Sequence, residues 1–253
     1  MMAKVVSVHS FRGGTGKSNT TANLSALLAL NGKKVGVVDT DIQSPGIHVL
    51  FDLPEEKVNY VLNDYLWGRC EIEQAAYDVT SVLKTEASGK IYLIPSSLNA
   101  ADIARVLHDG YDVSLLSDGF RRLIRELSLD FLIIDTHPGL NEETLLSIAI
   151  SNVLIIVLRP DRQDYLGTGI TVEVARELNV PDMLLLVNKV PSSFDCSRIR
   201  TLVKKAYDCD AVAILPHCDE LMSLASEELF VMRFPEHLVT GELKKLAARV
   251  ISR

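Results

Sequence analysis

Short, continuously apolar runs alternate along the chain with longer segments in which apolar residues recur every three or four positions. The first pattern is typical of strands buried on both faces of a parallel sheet, and the second of helices that cover such a sheet. Leu24, Leu27 and Leu28 show the helical spacing, and the Asn31-Gly32 pair after them predicts the end of that helix. The predicted strands are 4–9, 34–39, 91–95, 131–135, 153–158, 183–188 and 211–215.

The repeated strand–helix order predicts an α/β fold, namely a doubly wound, mostly parallel sheet with helices on both faces. No linker rich in Pro, Gly or Ser and no internal repeat divides the chain, so we predict a single domain over residues 1–253. Residues 55–88 are the least regular part. There, apolar positions from 58 to 66 predict one helix, and Trp67 is expected to be a packing residue. Ligands of such sheets bind at the carboxyl ends of the strands.

Composition narrows the class of protein. Hydrophobic residues make up 47% of the chain, which excludes a wholly disordered protein, and the formal net charge of −7 argues against a uniformly basic nucleic-acid-binding surface. The four cysteines are scattered without a CxxC pair, which favours reduced thiols in a cytoplasmic protein over a metal site. The apolar runs are far shorter than the ~18 residues that span a bilayer.

A glycine-rich segment, HSFRGGTGKSN at residues 9–19, lies directly between the first predicted strand and the first predicted helix. That context is typical of a phosphate-binding loop, in which backbone N–H groups and the helix N-terminus approach an anion. Lys17 would reach the terminal phosphates of a nucleotide, and the Ser18 hydroxyl would bind Mg²⁺. The segment departs from the usual pattern, because Phe11 stands where the first glycine is expected and Arg12 adds a second cation beside it.

Carboxylates follow two of the predicted strands. Asp39 and Asp41 come at the end of the second strand, where a carboxylate can orient a water molecule or hold Mg²⁺ through water. A turn or capping role is the alternative for either residue. Asp135 ends the fourth strand and precedes a Pro-Gly turn, which is the form of a Walker-B strand followed by a loop that senses the γ-phosphate. The histidines show no metal-ligand spacing, and only His137, inside this loop, is a candidate for the site.

Two further strand ends carry residues suited to a nucleotide base. Asn188 follows the sixth predicted strand, and an amide there can pair with an adenine edge. Pro216 follows the seventh, and a proline can pack on the face of the base. Taken singly, each of the two is equally well an ordinary loop residue.

Together these motifs resemble the MinD/ParA family of deviant Walker-A ATPases. The resemblance rests on RGGTGKS at 12–18, Asp-Thr-Asp at 39–41, Asp-Thr-His-Pro-Gly at 135–139 and Asn-Lys at 188–189, and it extends from residue 4 to about residue 226. It implies a P-loop NTPase fold, binding of ATP and Mg²⁺, ATP-dependent pairing of two copies and slow hydrolysis. Such a cycle implies a switch that positions or partitions a chromosome, plasmid, protein cargo or division site, with a protein activator or cargo adaptor as partner.

The resemblance also implies roles for individual residues. Lys17 and Asp41 are implied catalytic residues, and Asp41 is the carboxylate that orients the attacking water. Arg12 takes the place of the family's signature lysine, which reaches the phosphates of the partner copy. The implied metal ligands are Ser18, Asp41 and Asp135. The implied nucleotide-binding residues are Gly13, Gly14, Thr15, Gly16, Lys17, Ser18, Asn19, Asn188 and Pro216.

Other functions are compatible with part of this pattern. An adaptor that dimerises on ATP with little turnover is one, because the exchange of lysine for Arg12 is not conservative at a phosphate. Iron–sulfur scaffold ATPases carry a C-terminal CxxC, and the related tyrosine kinases end in a tyrosine cluster. This chain has neither feature, so both are minor alternatives.

The surface on which such a switch would act is a separate question. Apolar residues between 243 and 251 share one helical face beside basic residues, which predicts either an amphipathic membrane helix or, by preference, the last core helix. A second basic group could contact nucleoid DNA, although a solvated helix face is the simpler interpretation. That group is Arg198, Arg200, Lys204 and Lys205.

Overall fold

An eight-stranded sheet forms the centre of the structure, a computed structural model that describes residues 3–252. The strands are β1 Lys4–His9, β2 Lys34–Asp39, β3 Tyr77–Asp78, β4 Lys90–Ile94, β5 Phe131–Asp135, β6 Val153–Leu158, β7 Asp182–Val190 and β8 Asp210–Pro216. Their order in the sheet is β3-β4-β2-β5-β1-β6-β7-β8, and only β3 pairs antiparallel with its neighbour. The terminal residues of the predicted domain 1–253 lie outside the described residues.

Helices connect the strands and cover the sheet. They are α1 Lys17–Leu30, α2 Ile47–Leu50, α3 Leu62–Leu66, α4 Ala100–Asp109, α5 Ser114–Glu126, α6 Glu142–Ala149, α7 Arg162–Glu177, α8 Cys196–Tyr207, α9 Asp219–Ser223, α10 Phe230–Arg233 and α11 Leu238–Ile251. Short 3₁₀ turns occur at Glu55–Lys57, Ile72–Ala75 and Thr80–Leu83. The end of α1 is as predicted, because Asn31 caps it and Gly32 follows with a φ of +77°.

Successive strand residues point to opposite faces of the sheet, so an apolar run feeds two cores. In β5, Ile133 belongs to the core under α1 and α11, whereas Leu132 and Ile134 pack with α5 on the other face. Along β6, β7 and β8 that second face is covered by α7 and α8. The doubly wound α/β sheet with helices on both faces is therefore confirmed.

The segment before α3 differs from its prediction. A helix over 58–66 is wrong in extent, since only Leu62–Leu66 is helical. The hydroxyl of Tyr77 accepts hydrogen bonds from the N–H groups of Asn59 and Tyr60, at 2.8 and 2.9 Å, and donates to the carbonyl of Tyr60. A helix over 58–66 would need the carbonyl of Tyr60 to accept from the N–H of Asp64, and Tyr77, a residue outside the segment, occupies that carbonyl instead.

The apolar face of α11 lies in the core. Leu246 and Val250 are fully buried, and the helix packs against β8 and α1. The core-helix prediction is therefore confirmed, and the membrane-helix alternative is wrong for this conformation because its apolar face is covered. Within residues 3–252, the structure contains no helix of the length and apolarity that a bilayer crossing requires.

Two members of the basic group on α8 make intrachain contacts. Arg200 pairs with Glu242 at 3.2 Å, and Lys204 lies 3.4 and 3.3 Å from carboxylates of Asp208 and Asp210. These carboxylates offset part of the positive charge, so the solvated-face interpretation describes this helix better than a phosphate-binding surface.

The register of the central strands brings the predicted motifs to one edge. Asp39 at the end of β2 lies opposite Asp135 at the end of β5, and Val8 in β1 is also paired with Asp135. The loops that follow β1, β2 and β5 therefore leave the sheet side by side.

Candidate functional site

The glycine-rich loop leaves β1 and turns directly into α1, whose first residue is Lys17. Gly14 and Gly16 have φ angles of +72° and +99°, in the left-handed region that favours glycine. A Cβ atom added at Gly16 would also lie 2.4 Å from Nδ2 of Asn188. The loop therefore requires glycine at both positions for its backbone, and at Gly16 for space as well.

Lys17 lies buried at the start of α1, where the helix N-terminus also favours an anion. Burial raises the pKa of the carboxyl groups of Asp41 and Asp135, and the nearby ammonium of Lys17 opposes that rise in both. Lys17 thus lies close to both of the carboxylates that the sequence assigns to the site.

Asp135 is enclosed at the end of β5. Burial raises its pKa to about 6, against the opposing effects of the Lys17 charge and of hydrogen bonds from the hydroxyls of Ser18 and Thr21. Thr21 Oγ1 donates to Oδ1 of Asp135 at 3.0 Å. Thr21 follows Lys17 by four residues, so it lies on the same face of α1, and that spacing is the sequence signal that identifies it.

Asp39 has a structural role in this conformation. Its two carboxylate oxygens accept from the N–H groups of Asp41, at 3.0 Å, and Gly46, at 3.4 Å. Burial and the neighbouring Asp135 raise its pKa well above the ordinary value. The alternative of a turn aspartate thus describes Asp39, which shapes the loop that carries Asp41.

Two oxygen atoms beside the loop have no hydrogen-bond partner among residues 3–252, although both are buried. They are Oγ1 of Thr15 and Oδ1 of Asp41. Mg²⁺ prefers hydroxyl and carboxylate oxygens, and Ser18, Asp41 and Asp135 supply such oxygens here. The site therefore fits a nucleotide bound with Mg²⁺, because the two buried oxygens and the ammonium of Lys17 remain available to the ligand.

His137 lies beside Asp41. Its Nε2 is 3.8 Å from Oδ1 of Asp41, and its Nδ1 is 2.7 Å from the carbonyl oxygen of Pro138. The structure thus brings the one histidine singled out by the sequence into the site.

A second histidine in the site has no signal in the sequence. His9 is fully buried at the end of β1, and its Nδ1 lies 2.9 Å from Oγ1 of Thr136. That hydroxyl donates to the carbonyl of Val8, so it accepts from His9 Nδ1–H. Burial, followed by the charge of Lys17, lowers the pKa of His9 to about 3, so the ring is neutral.

Phe11 and Arg12 contact α7 of the same chain. A guanidinium nitrogen of Arg12 donates to Oε1 of Gln163 and lies 3.7 Å from Oδ1 of Asp164. The ring of Phe11 lies against Gly167, where an added Cβ would come within 2.1 Å of the ring. Gln163 and Gly167 are one helical turn apart, so the two unusual loop residues lie along one stripe of α7.

The residues expected to bind adenine lie at adjacent strand ends, and one of them supports the loop. Nδ2 of Asn188 donates to the carbonyl of Thr15 at 2.7 Å, and Nζ of Lys189 donates to that of Gly14 at 2.8 Å. An amide has two N–H groups, so one remains available for a base. Pro216 ends β8 beside β7. Lys189 carries no motif signal of its own apart from following Asn188.

The other two predicted nucleotide-binding residues flank the loop. A Cβ added at Gly13 would lie 4.0 Å from the ring of Pro138, so the first loop approaches the loop after β5. The N–H of Gly139 donates to the carbonyl of Ser10, which ties the same two loops together. Asn19 lies in the first turn of α1 and is half-buried.

Cys218, Glu220 and His237 form a further cluster, which begins two residues after the end of β8 and has ligand atoms within 4.8 Å of one another. Nδ1 of His237 accepts from the N–H of Val239 at 3.1 Å and caps α11. A neutral ring that accepts at Nδ1 carries its hydrogen on Nε2 and has no free lone pair. We therefore assign this histidine a capping role.

The class of P-loop nucleoside triphosphatases is defined by a glycine-rich loop between a strand and a helix. A lysine ends that loop, and a buried aspartate lies on the neighbouring strand. A family model described as "AAA domain" matches residues 3–180. The chain belongs to the MinD/ParA family of deviant Walker-A ATPases within that class.

Individual relatives are similar over nearly the whole chain. An uncharacterized ATP-binding protein of Methanocaldococcus jannaschii is 25% identical over 252 residues, covering 99% of this chain and 89% of the relative. The septum site-determining protein MinD of Bacillus subtilis is 24% identical over 257 residues, covering 99% of this chain and 90% of the relative. The solved structure of MinD from Pyrococcus horikoshii, complexed with Mg-ADP, superposes with a TM-score of 0.80 at 22% identity and covers 98% of this chain and 96% of its own.

Proposed function

We propose that this protein binds Mg·ATP, pairs with a second copy in the ATP state, hydrolyses ATP slowly and separates again. The observation that carries the proposal is the convergence of Lys17, Ser18, Asp41 and Asp135 around the glycine-rich loop. Buried oxygens there have no protein partner within residues 3–252. The cycle would serve as a spatial-positioning or partitioning switch, because septum site-determining proteins are among the relatives.

Each side chain has a task in this proposal. Lys17 and the N–H groups of the loop neutralise the phosphate oxygens. Ser18 and Asp135 would hold Mg²⁺ with Asp41, and the ion would offset the charge on the phosphates. Asp41 also orients the attacking water. Its position at the end of β2, next to the loop, supports that role.

Pairing would use Arg12. In the single chain its guanidinium contacts Gln163, and the side chain is 42% exposed. The guanidinium also lies 3.7 Å from Asp164, but that carboxylate is paired more closely with Arg159, at 3.0 Å. A half-exposed arginine held in this way can exchange its contacts for a phosphate of the second copy, which it binds in a bidentate manner. Arg12→Ala should then keep nucleotide binding by the monomer and lose ATP-dependent pairing, whereas Arg12→Lys should retain much of it.

The same contact favours a second candidate function. If Arg12 stays on α7 in the ATP state, the protein would be an adaptor that dimerises on ATP with little turnover. A turnover assay on the ATP-bound dimer distinguishes the two, because only the ATPase releases phosphate. For either function, the expected partner is a protein activator or a cargo adaptor, and DNA and anionic membranes are tested as surfaces.

Light scattering with ATP, with ADP and without nucleotide tests the proposal. We expect a dimer only with ATP. We also expect Lys17→Ala to weaken ATP binding ~10–100-fold, as the loss of a charge-assisted hydrogen bond implies. The exposed Lys57→Ala is the matched control. Equal ATP affinity of Lys17→Ala and the wild type would refute the phosphate-loop assignment.

Asp41→Ala provides the complementary measurement. It should accumulate as an ATP-bound dimer, because hydrolysis is blocked while nucleotide affinity survives. A variant that stays monomeric in saturating ATP, or that hydrolyses normally, would remove this role from Asp41. Repeating the scattering with DNA and with anionic liposomes shows whether the ATP dimer binds either surface.

A further inference from the structure

His137 presents a hydrogen-bond acceptor to the site. Its Nδ1 lies 2.7 Å from the carbonyl oxygen of Pro138, and a carbonyl only accepts, so Nδ1 carries the hydrogen. In the neutral ring, Nε2 then has a free lone pair. This tautomer follows from the hydrogen-bond geometry and leaves Nε2 facing Asp41.

Asp41 faces that lone pair but does not supply a hydrogen to it. Nε2 of His137 and Oδ1 of Asp41 are 3.8 Å apart, which is too long for a hydrogen bond, and with this tautomer both atoms are acceptors. Oδ1 is buried and has no hydrogen-bond partner among residues 3–252. Two acceptors at this spacing suit one water molecule, which can donate a hydrogen to each.

The surroundings separate this position from bulk solvent. The side chains of His137 and Asp41 are 21% and 14% exposed. The ammonium of Lys17 acts on the carboxylate of Asp41, so these two groups lie close together. A water held here would lie beside the lysine that neutralises the phosphates.

We propose that His137 is a second water-orienting residue, which holds the attacking water together with Asp41. The inference rests on the proposed ATPase function. A water that donates both hydrogens to these acceptors has its lone pairs free for the γ-phosphorus. Its oxygen forms the new P–O bond as the bond to the bridging oxygen of ADP breaks. The proton that the water loses passes to one of the two acceptors and then to solvent, giving ADP and inorganic phosphate.

Single-turnover hydrolysis of bound ATP tests this role. His137→Ala should lower the rate ~10–100-fold, the lower part of the range for a positioned acid or base, because Asp41 remains. Affinity for a non-hydrolysable ATP analogue should stay within about twofold, since no phosphate contact is removed. His137→Gln should restore much of the rate, because its amide oxygen can accept from the same water. The exposed His108→Ala is the matched control.

A double variant separates a shared water from a general structural effect. If His137 and Asp41 hold one water, Asp41→Ala combined with His137→Ala should hydrolyse ATP about as slowly as Asp41→Ala alone. A His137→Ala protein with wild-type rate overturns the inference. So does one that loses analogue binding and rate together without rescue by His137→Gln. If the wild type itself binds ATP and releases no phosphate, the ATPase function fails, and this inference falls with it.

Discussion

At the residue scale, several buried ionisable groups lie at the carboxyl ends of β1, β2 and β5, and the hydrogen bonds there do not satisfy all of their polar atoms. Asp39 and Asp135 end adjacent strands, and burial raises the pKa of both. His9 is enclosed beside them as a neutral ring, and its Nε2 has no hydrogen-bond partner within residues 3–252. Such arrangements cost stability in the protein without ligand and are typical of sites that bind charged ligands.

His9 makes the stability depend on pH. Its pKa falls from 6.5 to about 3 on folding, so below 6.5 the unfolded chain binds a proton that the folded chain does not. Stability from this group is therefore full above pH 6.5 and is lost as the pH falls towards 3. Between pH 8 and pH 5 we expect a loss of about 2 kcal/mol from His9.

Urea unfolding of the wild type and His9→Asn at the two pH values measures this loss. Asparagine can still donate to Thr136 but does not titrate, so the variant should lose about 2 kcal/mol less than the wild type. Equal pH dependence of the two proteins would show that the ring is not held neutral.

At the element scale, α7 supports the start of the glycine-rich loop. Phe11 packs on Gly167, and Arg12 is bound one turn earlier by Gln163. The contact explains how a phenylalanine is accommodated where the first glycine of the motif is expected: the ring takes the space that a side chain at 167 would fill. The helix is thereby coupled to the start of the loop.

Two glycines of α7 provide a matched test of that coupling. Gly167→Ala places a Cβ 2.1 Å from the Phe11 ring, so the ring must move, and we expect a loss of ~1–3 kcal/mol and weaker ATP binding. In Gly169→Ala the new Cβ lies 3.7 Å from Tyr207, an ordinary contact, so helix propensity should add up to ~1 kcal/mol. Urea unfolding and ATP titration compare them, and equal behaviour of the two variants would argue against the contact.

At the scale of the whole molecule, the eight strands form one sheet, and β4, between β2 and β3, joins the irregular segment to it. The single tryptophan of the chain, Trp67, reports on that segment. Its ring lies between the guanidinium groups of Arg69 and Arg105, with carbons 4.8 and 4.3 Å from the ring centroid. Trp67 is half-buried and packs against these two charged side chains.

A single domain predicts one cooperative transition. Tryptophan fluorescence and far-UV circular dichroism should give coincident urea curves, because breaking the contacts of the segment exposes the same core as the rest of the sheet. A fluorescence transition at clearly lower urea than the dichroism transition would show that residues 55–88 unfold on their own and would contradict the single-domain prediction.

The sequence by itself determined the layers of the fold and most of the loop chemistry. β1, β2, β5 and β6 have the predicted bounds, and β4, β7 and β8 differ from theirs by one or two residues at each end. A strand buried on both faces needs a continuous apolar run, and the glycine-rich loop needs glycines at its left-handed positions. Both requirements appear as short patterns in the sequence. The same local patterns select Lys17, Ser18 and Asp135, and the structure brings these three residues close together.

Only the tertiary structure decided which distant groups meet. Several features depend on packing between segments far apart in the chain. They are the strand order, the two-residue β3, the late start of the predicted 58–66 helix, whose first residues bind Tyr77, and the contact of Arg12 with Gln163. The same is true of the pairing of His137 with Asp41. No local propensity encodes such distances, because they follow from the register of parallel strands and from the helices that fill the space between their loops.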